Sequence, residues 1–248
     1  MKRVVDAFIG ALAYFTILPA GKSGPPGADA LAALPYVGGL IGGLAGAAAW
    51  GVSYVLAAPL VTAAAFAASI VLTGALHVDG FLDTCDALFA RVTPQRRLEI
   101  LKDPRHGTFA VAGFAVVVIV WLAAVAGISA PYLPAVLAFC AALARWAAVL
   151  NALLYPDARE PANSPALASK PPVFVVGITG VLLGAAAWCF GLPYVLLVPI
   201  AAGVAVVLGR ALKTAFGGMT GDLYGFVIVL FETALLVAMG TLLENVTT

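Results

Sequence analysis

Long apolar blocks separated by short polar segments dominate the pattern along this chain. Residues 30–78, 106–144 and 171–209 contain no Asp, Glu, Lys or Arg. A membrane-spanning helix needs about 20 apolar residues, so each block holds two spans joined by a turn marked by Gly or Pro. With a further apolar run near the carboxyl end, the pattern predicts seven spans, at 31–56, 59–76, 109–127, 132–154, 173–190, 193–212 and 223–243.

Composition supports the same fold class. Hydrophobic residues make up 63% of the 248 positions and charged residues only 10%, whereas soluble domains carry roughly 25% charged residues. We therefore expect an all-α, polytopic helical bundle in the membrane, forming a single domain over residues 1–248. Residues 1–20 are predicted to form an interfacial helix. The segment from about residue 77 to 108 is predicted to form a helical loop on the polar side. Nothing in the chain indicates binding to nucleic acid.

The basic residues fix an orientation. All 13 Lys and Arg residues fall on one side of the predicted arrangement. Loops rich in Lys and Arg stay in the cytoplasm. The amino terminus and the polar loops are therefore predicted to be cytoplasmic, in a multi-pass protein of the cell membrane.

The segment "HVDGFLDTCD" places three carboxylates at the inner end of the first apolar block, just after the second predicted span. Asp79, Asp83 and Asp86 stand at i, i+4 and i+7, which puts them at about 0°, 40° and −20° on one helical face. Like charges on one face repel each other, and a hard cation between them removes the repulsion. Mg²⁺ prefers such oxygen ligands. The alternative interpretation is a solvated acidic start to a cytoplasmic helix.

A second polar segment, "LKDPRHGT", follows this helix. Lys102 and Arg105 bring positive charge towards the carboxylates, beside Asp103 and Gly107. One interpretation is anchoring of the loop on the cytoplasmic side, since basic residues favour that side. The other is a site for phosphate and metal.

The third polar segment is "GGMTGDLYG". Thr220, Gly221 and Asp222 precede the last predicted span, and their backbone N–H groups could face an anion. A helix cap is the simpler alternative for Asp222.

Four further side chains are candidates because they are ionisable within or near the spans. Arg145 and Glu232 lie inside predicted spans and could pair with each other. His77 precedes the acidic face, and its role is open between a ligand, a general base and a structural residue. His106 is the weakest candidate of the four.

These motifs resemble a known family. In their order along the chain, "GALHVDGFLDTCDALFA", "RRLEILKDPRHGTF" and "GGMTGDLYG" are similar to motifs of the cobalamin synthases, the adenosylcobinamide-GDP ribazoletransferases of bacteria and archaea. The likeness runs from about residue 10 to 240. It implies a magnesium-dependent phosphotransferase of cobalamin biosynthesis in the inner membrane. The enzyme would join α-ribazole, or its 5′-phosphate, to adenosylcobinamide-GDP and release GMP.

The resemblance also implies roles for the candidate residues. Metal ligands would be Asp79, Asp83 and Asp86, with Asp103 and Asp222 as further ligands. Substrate contacts would come from Lys102, Arg105, Gly107, Arg145, Thr220 and Gly221, with Glu232 as an additional candidate. The catalytic groups would be Asp83, His77 and Lys102, and the general base stays open between His77 and a carboxylate. Expected partners are the two substrates, the lipid bilayer and other late corrinoid-pathway enzymes.

Two other functions fit parts of the pattern. Membrane transferases that use CDP-alcohols or prenyl diphosphates also hold Mg²⁺ with spaced Asp residues, but the order of the three motifs argues against them. A cation transporter would also place acids within spans. Against it, nearly all polar residues gather on one side.

Overall fold

The computed structural model describes residues 2–21, 27–158 and 170–247, with the side chains of positions 3 and 244–247 excepted. Within these ranges the chain is helical, with one isolated bridge between Asp157 and Met219 as its sole extended pairing. The helices are α1 Lys2–Phe15, α2 Ala28–Val52, α3 Ala58–Leu72, α4 Leu76–Phe89, α5 Pro94–Ile100, α6 Thr108–Ala126, α7 Leu133–Leu154, α8 Val173–Trp188, α9 Leu192–Val195, α10 Leu197–Phe216 and α11 Gly221–Thr247.

Each predicted span corresponds to a helical segment, and the expectation of an all-α membrane bundle is confirmed. Five segments are long and apolar enough to cross a bilayer: Ala28–Val52, Thr108–Ala126, Ala130–Leu154, Leu192–Phe216 and Gly221–Leu243. The helices at the other two predicted spans are shorter. α3 has 15 residues and reaches spanning length only together with α4, to which it is bent by 90°. α8 has 16 residues.

Helices α2 and α7 pack closely along a stripe of glycines. A Cβ atom at Gly38, Gly42 or Gly46 would overlap backbone or side-chain atoms of α7, including the Leu137 and Leu133 carbonyl groups. Small residues allow this close approach between helices in lipid. The Gly-rich helix α2 and helix α7 therefore form a closely packed pair in the bundle.

The turn between α3 and α4 directs the acidic helix across the end of the bundle. Gly74 and Ala75 both have left-handed backbone conformations, with φ of +57° and +59°. For alanine this conformation costs about 1 kcal/mol. The Ile17 N–H donates to the Leu72 carbonyl at 3.0 Å and ties the segment after α1 to the turn. Because of this turn, α4 is a separate helix rather than a continuation of the second span.

The polar loops meet at one end of the bundle, in agreement with the one-sided charge pattern. The Arg97 guanidinium donates to the Ala215 carbonyl at 3.0 Å and joins α5 to the end of α10. The Met219 N–H donates to the Pro156 carbonyl at 2.8 Å, which joins the loops that follow α7 and α10. The three polar segments that carry most of the predicted site are held at or near this end.

Candidate active site

The centre of the site is a cluster of Asp79, Asp83 and His106. The His106 Nδ1 atom lies 3.4 Å from Asp83 Oδ1, and Nε2 lies 4.0 Å from Asp79 Oδ1. One ligand atom from each of the three residues falls within 4.8 Å of the others. This is a geometry in which a single cation can contact all three side chains.

The electrostatics of the cluster favour a cation. Asp79, Asp222 and Asp86 all act on Asp83 with negative charge. The Asp83 side chain is only 14% exposed, whereas that of Asp79 is 64% exposed. Water screens the repulsion less well at the more enclosed carboxylate. A cation at the open side of the cluster would remove it.

Asp86 shares the helical face of Asp79 and Asp83 but has a different environment. One of its oxygens accepts a hydrogen bond from the Gly107 N–H, and the other accepts one from the Ala110 N–H at 3.0 Å. Its carboxylate thus caps the first turn of α6, a favourable position for a negative charge. The predicted metal role of Asp86 and substrate role of Gly107 stay predictions. The geometry favours a structural role, in which the pair fixes the loop that presents His106.

The loop before α6 carries a local ion pair. Asp103 Oδ1 accepts hydrogen bonds from the Arg105 backbone N–H at 3.0 Å and from Nε at 2.9 Å, and Oδ2 accepts one from Nη2 at 2.9 Å. The Arg105 hydrogen bonds lower the pKa of the exposed Asp103 carboxyl to about 2. Both groups are engaged with each other, which weakens the prediction that Asp103 binds metal and Arg105 binds phosphate. Lys102 is exposed beside them.

Helices α4 and α11 touch near the cluster through two glycines. A Cβ atom at Gly80 would lie 2.8 Å from the Asp222 carbonyl oxygen, and one at Gly225 would lie 3.0 Å from the His77 carbonyl oxygen. The Thr220 hydroxyl donates to Asp222 Oδ2 and accepts from the Leu223 N–H, each at 3.3 Å. Thr220 therefore caps α11, while Asp222 in the first turn adds its charge to the surroundings of Asp83.

A cavity of about 210 Å³ opens beside the cluster, between α1, α2, α4 and α11. Asp79, Asp222 and Gly221 contribute to its wall, as does His77. The site thus consists of a carboxylate cluster next to a cavity of about 210 Å³.

The predicted pairing of Arg145 with Glu232 is present deeper in the bundle. Arg145 Nη1 lies 2.9 Å from Glu232 Oε2 and also donates to the Ala141 carbonyl at 3.0 Å. The two side chains are 4% and 15% exposed. Because the guanidinium is committed to partners on α7 and α11, the geometry favours a structural role over the predicted phosphate contact.

His106, the weakest candidate in the sequence analysis, lies beside Asp83 in the structure. No spacing rule connects it with Asp83, since the two residues lie on different segments that only the fold brings together. The nearest signal in the sequence is Gly107, where a Cβ atom would lie 2.9 Å from Asp86 Oδ1. The glycine lets the loop approach the acidic helix, and its N–H donates to Asp86.

The fold and the site define a class: a multi-pass, all-α membrane protein with a cluster of carboxylates at the polar end of its bundle. The model of the family described as cobalamin-5-phosphate synthase matches residues 7–240. The chain therefore belongs to the cobalamin-5-phosphate synthase family, as the sequence motifs indicated, and is a transferase of cobalamin biosynthesis.

Curated relatives carry a more specific name. An adenosylcobinamide-GDP ribazoletransferase of Bradyrhizobium diazoefficiens is 36% identical over 241 residues, which cover 91% of this chain and 89% of the relative. Proteins of the same name from Thermosynechococcus vestitus and Deinococcus radiodurans are 32% and 34% identical. These two alignments cover 96% and 95% of this chain, and 97% and 86% of the relatives. No solved structure matches the chain.

Proposed function

We propose that this protein joins α-ribazole, or its 5′-phosphate, to adenosylcobinamide-GDP at the Asp79–Asp83–His106 cluster, with the assistance of Mg²⁺. Family membership and the names of the relatives support the reaction. The observation that carries the position of the site is the convergence of the three side chains within 4.8 Å at the polar end of the bundle.

The reaction exchanges one phosphorus–oxygen bond for another. A ribose hydroxyl oxygen of ribazole bonds to the phosphorus on the cobinamide side, and the bond from that phosphorus to the bridging oxygen breaks. GMP leaves with the bridging oxygen, and the hydroxyl proton passes to a base. Asp79 and His77 both border the cavity beside the cluster, so either side chain could receive that proton.

The residues of the cluster fit Mg²⁺. Asp79 and Asp83 supply hard carboxylate oxygens, and Mg²⁺ commonly takes one or two of them together with substrate phosphates and water. When bound there, the ion would neutralise the diphosphate charge, which is the main requirement of phosphoryl transfer. The nitrogen of His106 is a less favourable ligand for so hard an ion. His106 is better suited to holding the Asp83 carboxylate in position.

We also place the polar end of the bundle in the cytoplasm. The 13 basic residues of the chain support this orientation. It would expose the cluster to nucleotide substrates made in the cytoplasm. Contacts with other late enzymes of the corrinoid pathway remain a prediction.

The test is GMP release by purified membranes supplied with both substrates, with and without Mg²⁺. The substitution Asp83→Asn keeps the shape of the side chain but removes its charge. The variant would lose several kcal/mol of transition-state charge stabilisation, which would lower the rate of GMP release by about a thousandfold. Asp6→Asn, on the exposed surface of α1, is the matched control and should leave the rate unchanged.

Two results would contradict the proposal. Full activity in Asp83→Asn would remove the cluster from the reaction. Absence of GMP release by the wild-type protein with any divalent metal would redirect attention to CDP-alcohol or prenyl diphosphate substrates, and then to ion flux.

A further inference from the structure

A groove of about 720 Å³ lies between α1, α2 and the start of α8. Val4 and Phe174 in its walls are 72% and 70% exposed, so the groove opens to the outside of the bundle. Exposed apolar surfaces of this kind mark sites that bind a protein or a lipid. The apolar side chains of the walls include Val4, Val5, Phe8, Tyr36, Phe174 and Val175.

The groove runs inward from the polar end of the bundle. Helix α2 is antiparallel to α7, and the loop after α7 lies at the polar end, so α2 begins at that end. The groove follows α2 from Asp29 to Tyr36, a rise of about 10 Å. At its inner end a hydrogen bond of 2.8 Å between the Tyr36 and Thr179 hydroxyl groups ties α2 to α8. Since α2 is long and apolar enough to cross a bilayer, the groove extends from the headgroup level into the hydrocarbon region.

Two lysines flank the groove at its polar end. Lys2 precedes Val5 by three residues and therefore lies on the same side of α1. Lys170 precedes Pro172 of the groove wall by two residues, which span at most about 7 Å. Both lysines are exposed, and neither belongs to an ion pair among the described residues. Asp29 also borders the groove, but it already has an interaction partner.

We propose that this groove binds one anionic phospholipid, with an acyl chain along α2 and the headgroup phosphate between Lys2 and Lys170. An acyl chain makes no hydrogen bonds, which suits the apolar walls. Basic pockets between helices on the cytoplasmic side of membrane proteins bind anionic headgroups, and the two lysines supply that positive charge. This binding is independent of the reaction proposed at the cluster.

Other occupants fit the groove less well. In an isologous dimer the same surface of each copy faces the other, so a second Lys2 and Lys170 would approach the first pair at the same level of the bilayer. Like charges would then meet. The nucleotide substrates are also unsuitable, because their charged groups would lie against Val5 and Phe8, and burying a charge without a partner is costly.

A lipid in the groove would also steady one wall of the candidate active site. Helix α1 contributes Val4 and Phe8 to the groove and Tyr14 and Phe15 to the cavity beside the cluster. The two sets of residues lie about 15 Å apart along the helix. Binding should therefore slow hydrogen exchange of the α1 amides, which mass spectrometry of the full chain with and without lipid would measure.

Native mass spectrometry of the purified full chain tests the headgroup contact. Wild-type protein should bind one dioleoylphosphatidylglycerol more tightly than dioleoylphosphatidylcholine. Lys2→Gln and Lys170→Gln should each weaken binding of phosphatidylglycerol about fivefold, the value of one lysine at an anionic surface. Lys213→Gln, at an exposed lysine near the end of α10, is the matched control and should bind like the wild type.

A second variant tests the apolar part of the groove. Val5 is 50% exposed, so Val5→Trp fills the groove with little risk to folding and should abolish retention of the lipid. Val181→Trp is the matched control, because this valine on α8 is 73% exposed and lies outside the groove. The control should retain one phosphatidylglycerol, as the wild type does.

Three outcomes would overturn the inference. Lys2→Gln and Lys170→Gln could bind like the wild type, or no more weakly than Lys213→Gln, which would reject the headgroup contact. The lipid could persist in Val5→Trp, which would place it elsewhere on the protein. The mass spectrum could show a dimer without lipid, which would assign the groove to a second copy of the chain. None of these outcomes bears on GMP release, so the reaction proposed at the cluster is tested separately.

Discussion

Two of the groups of ionisable side chains among the described residues, one in the interior and one at the polar end, are built in opposite ways. In the interior, Arg145 and Glu232 form a 2.9 Å ion pair between α7 and α11, with side chains 4% and 15% exposed. At the polar end, Asp79 and Asp83 lie together beside His106, and the negative charges of Asp222 and Asp86 also act on Asp83. The interior pair is balanced within the protein, whereas the cluster at the end carries excess negative charge.

The difference separates a structural element from a site. A charge that is buried without a partner is costly, so an interior charge must be compensated by the fold itself. A cluster at the polar end can tolerate an excess charge because a ligand or ion from solution can compensate it. Four substitutions test this distinction, and they are ordered here by the size of the expected effect.

The largest effect should come from breaking the interior pair. Glu232→Leu leaves the Arg145 guanidinium buried without its carboxylate and should lower the free energy of unfolding by about 3–5 kcal/mol. Unfolding in detergent, followed by circular dichroism, would measure it. The double variant Arg145→Met with Glu232→Leu removes both charges and should recover most of the loss. If the double variant is no more stable than Glu232→Leu, the pair is not the reason for the loss.

Gly80→Ala should lower both the stability of the bundle and the activity of the cluster at its polar end. A Cβ atom at Gly80 would lie 2.8 Å from the Asp222 carbonyl oxygen, so the variant must move α4 away from α11. Such overpacking should lower the free energy of unfolding by about 1–3 kcal/mol. It should also lower the rate of GMP release at least tenfold, because a displacement of about 1 Å misplaces the reacting groups. Gly177→Ala in α8, where a Cβ meets nothing within 4 Å, is the control and should leave activity intact.

Asp86→Ala should have a smaller effect. It removes the cap of α6 and should lower the free energy of unfolding by about 0.5–2 kcal/mol. Since the capped Gly107 follows His106 directly, the variant should also need more Mg²⁺ for half-maximal GMP release. A metal titration of the rate would show this shift. If Asp86 is a metal ligand rather than a cap, the variant should instead lose activity at every metal concentration and keep its stability.

The smallest effect should come from the loop pair of Asp103 and Arg105. Hydrogen bonds from Arg105 lower the pKa of Asp103 to about 2. A lowered pKa in the folded protein means that the stabilisation is fully present above the pKa of the unfolded chain, about 4, and is lost as the pH falls through about 2. Asp103 is therefore ionised throughout the range of about pH 5 to 8, and Asp103→Asn should leave the shape of the pH–rate profile there unchanged. Because water screens this exposed pair, the variant should also change the stability little. A new step in that profile would show that Asp103 acts in the reaction.

The sequence alone determined the features that depend on local pattern. The spacing of apolar blocks defined the helices, the basic residues predicted that the polar loops share one side, and the i, i+4, i+7 spacing put Asp79 and Asp83 on one face. The three motifs were sufficient to identify the family. These features follow from period, length and charge, which are properties of neighbouring residues.

Tertiary structure decided which of the candidate groups act together. The left-handed turn at Gly74 and Ala75 directs α4 across the bundle, and the contact of Gly80 with α11 brings Asp222 towards Asp83. Packing assigns Asp86 to the cap of α6 and places His106 at the cluster. Contacts between segments far apart in the chain leave no periodic trace in the sequence, because each depends on the angle and distance between whole helices.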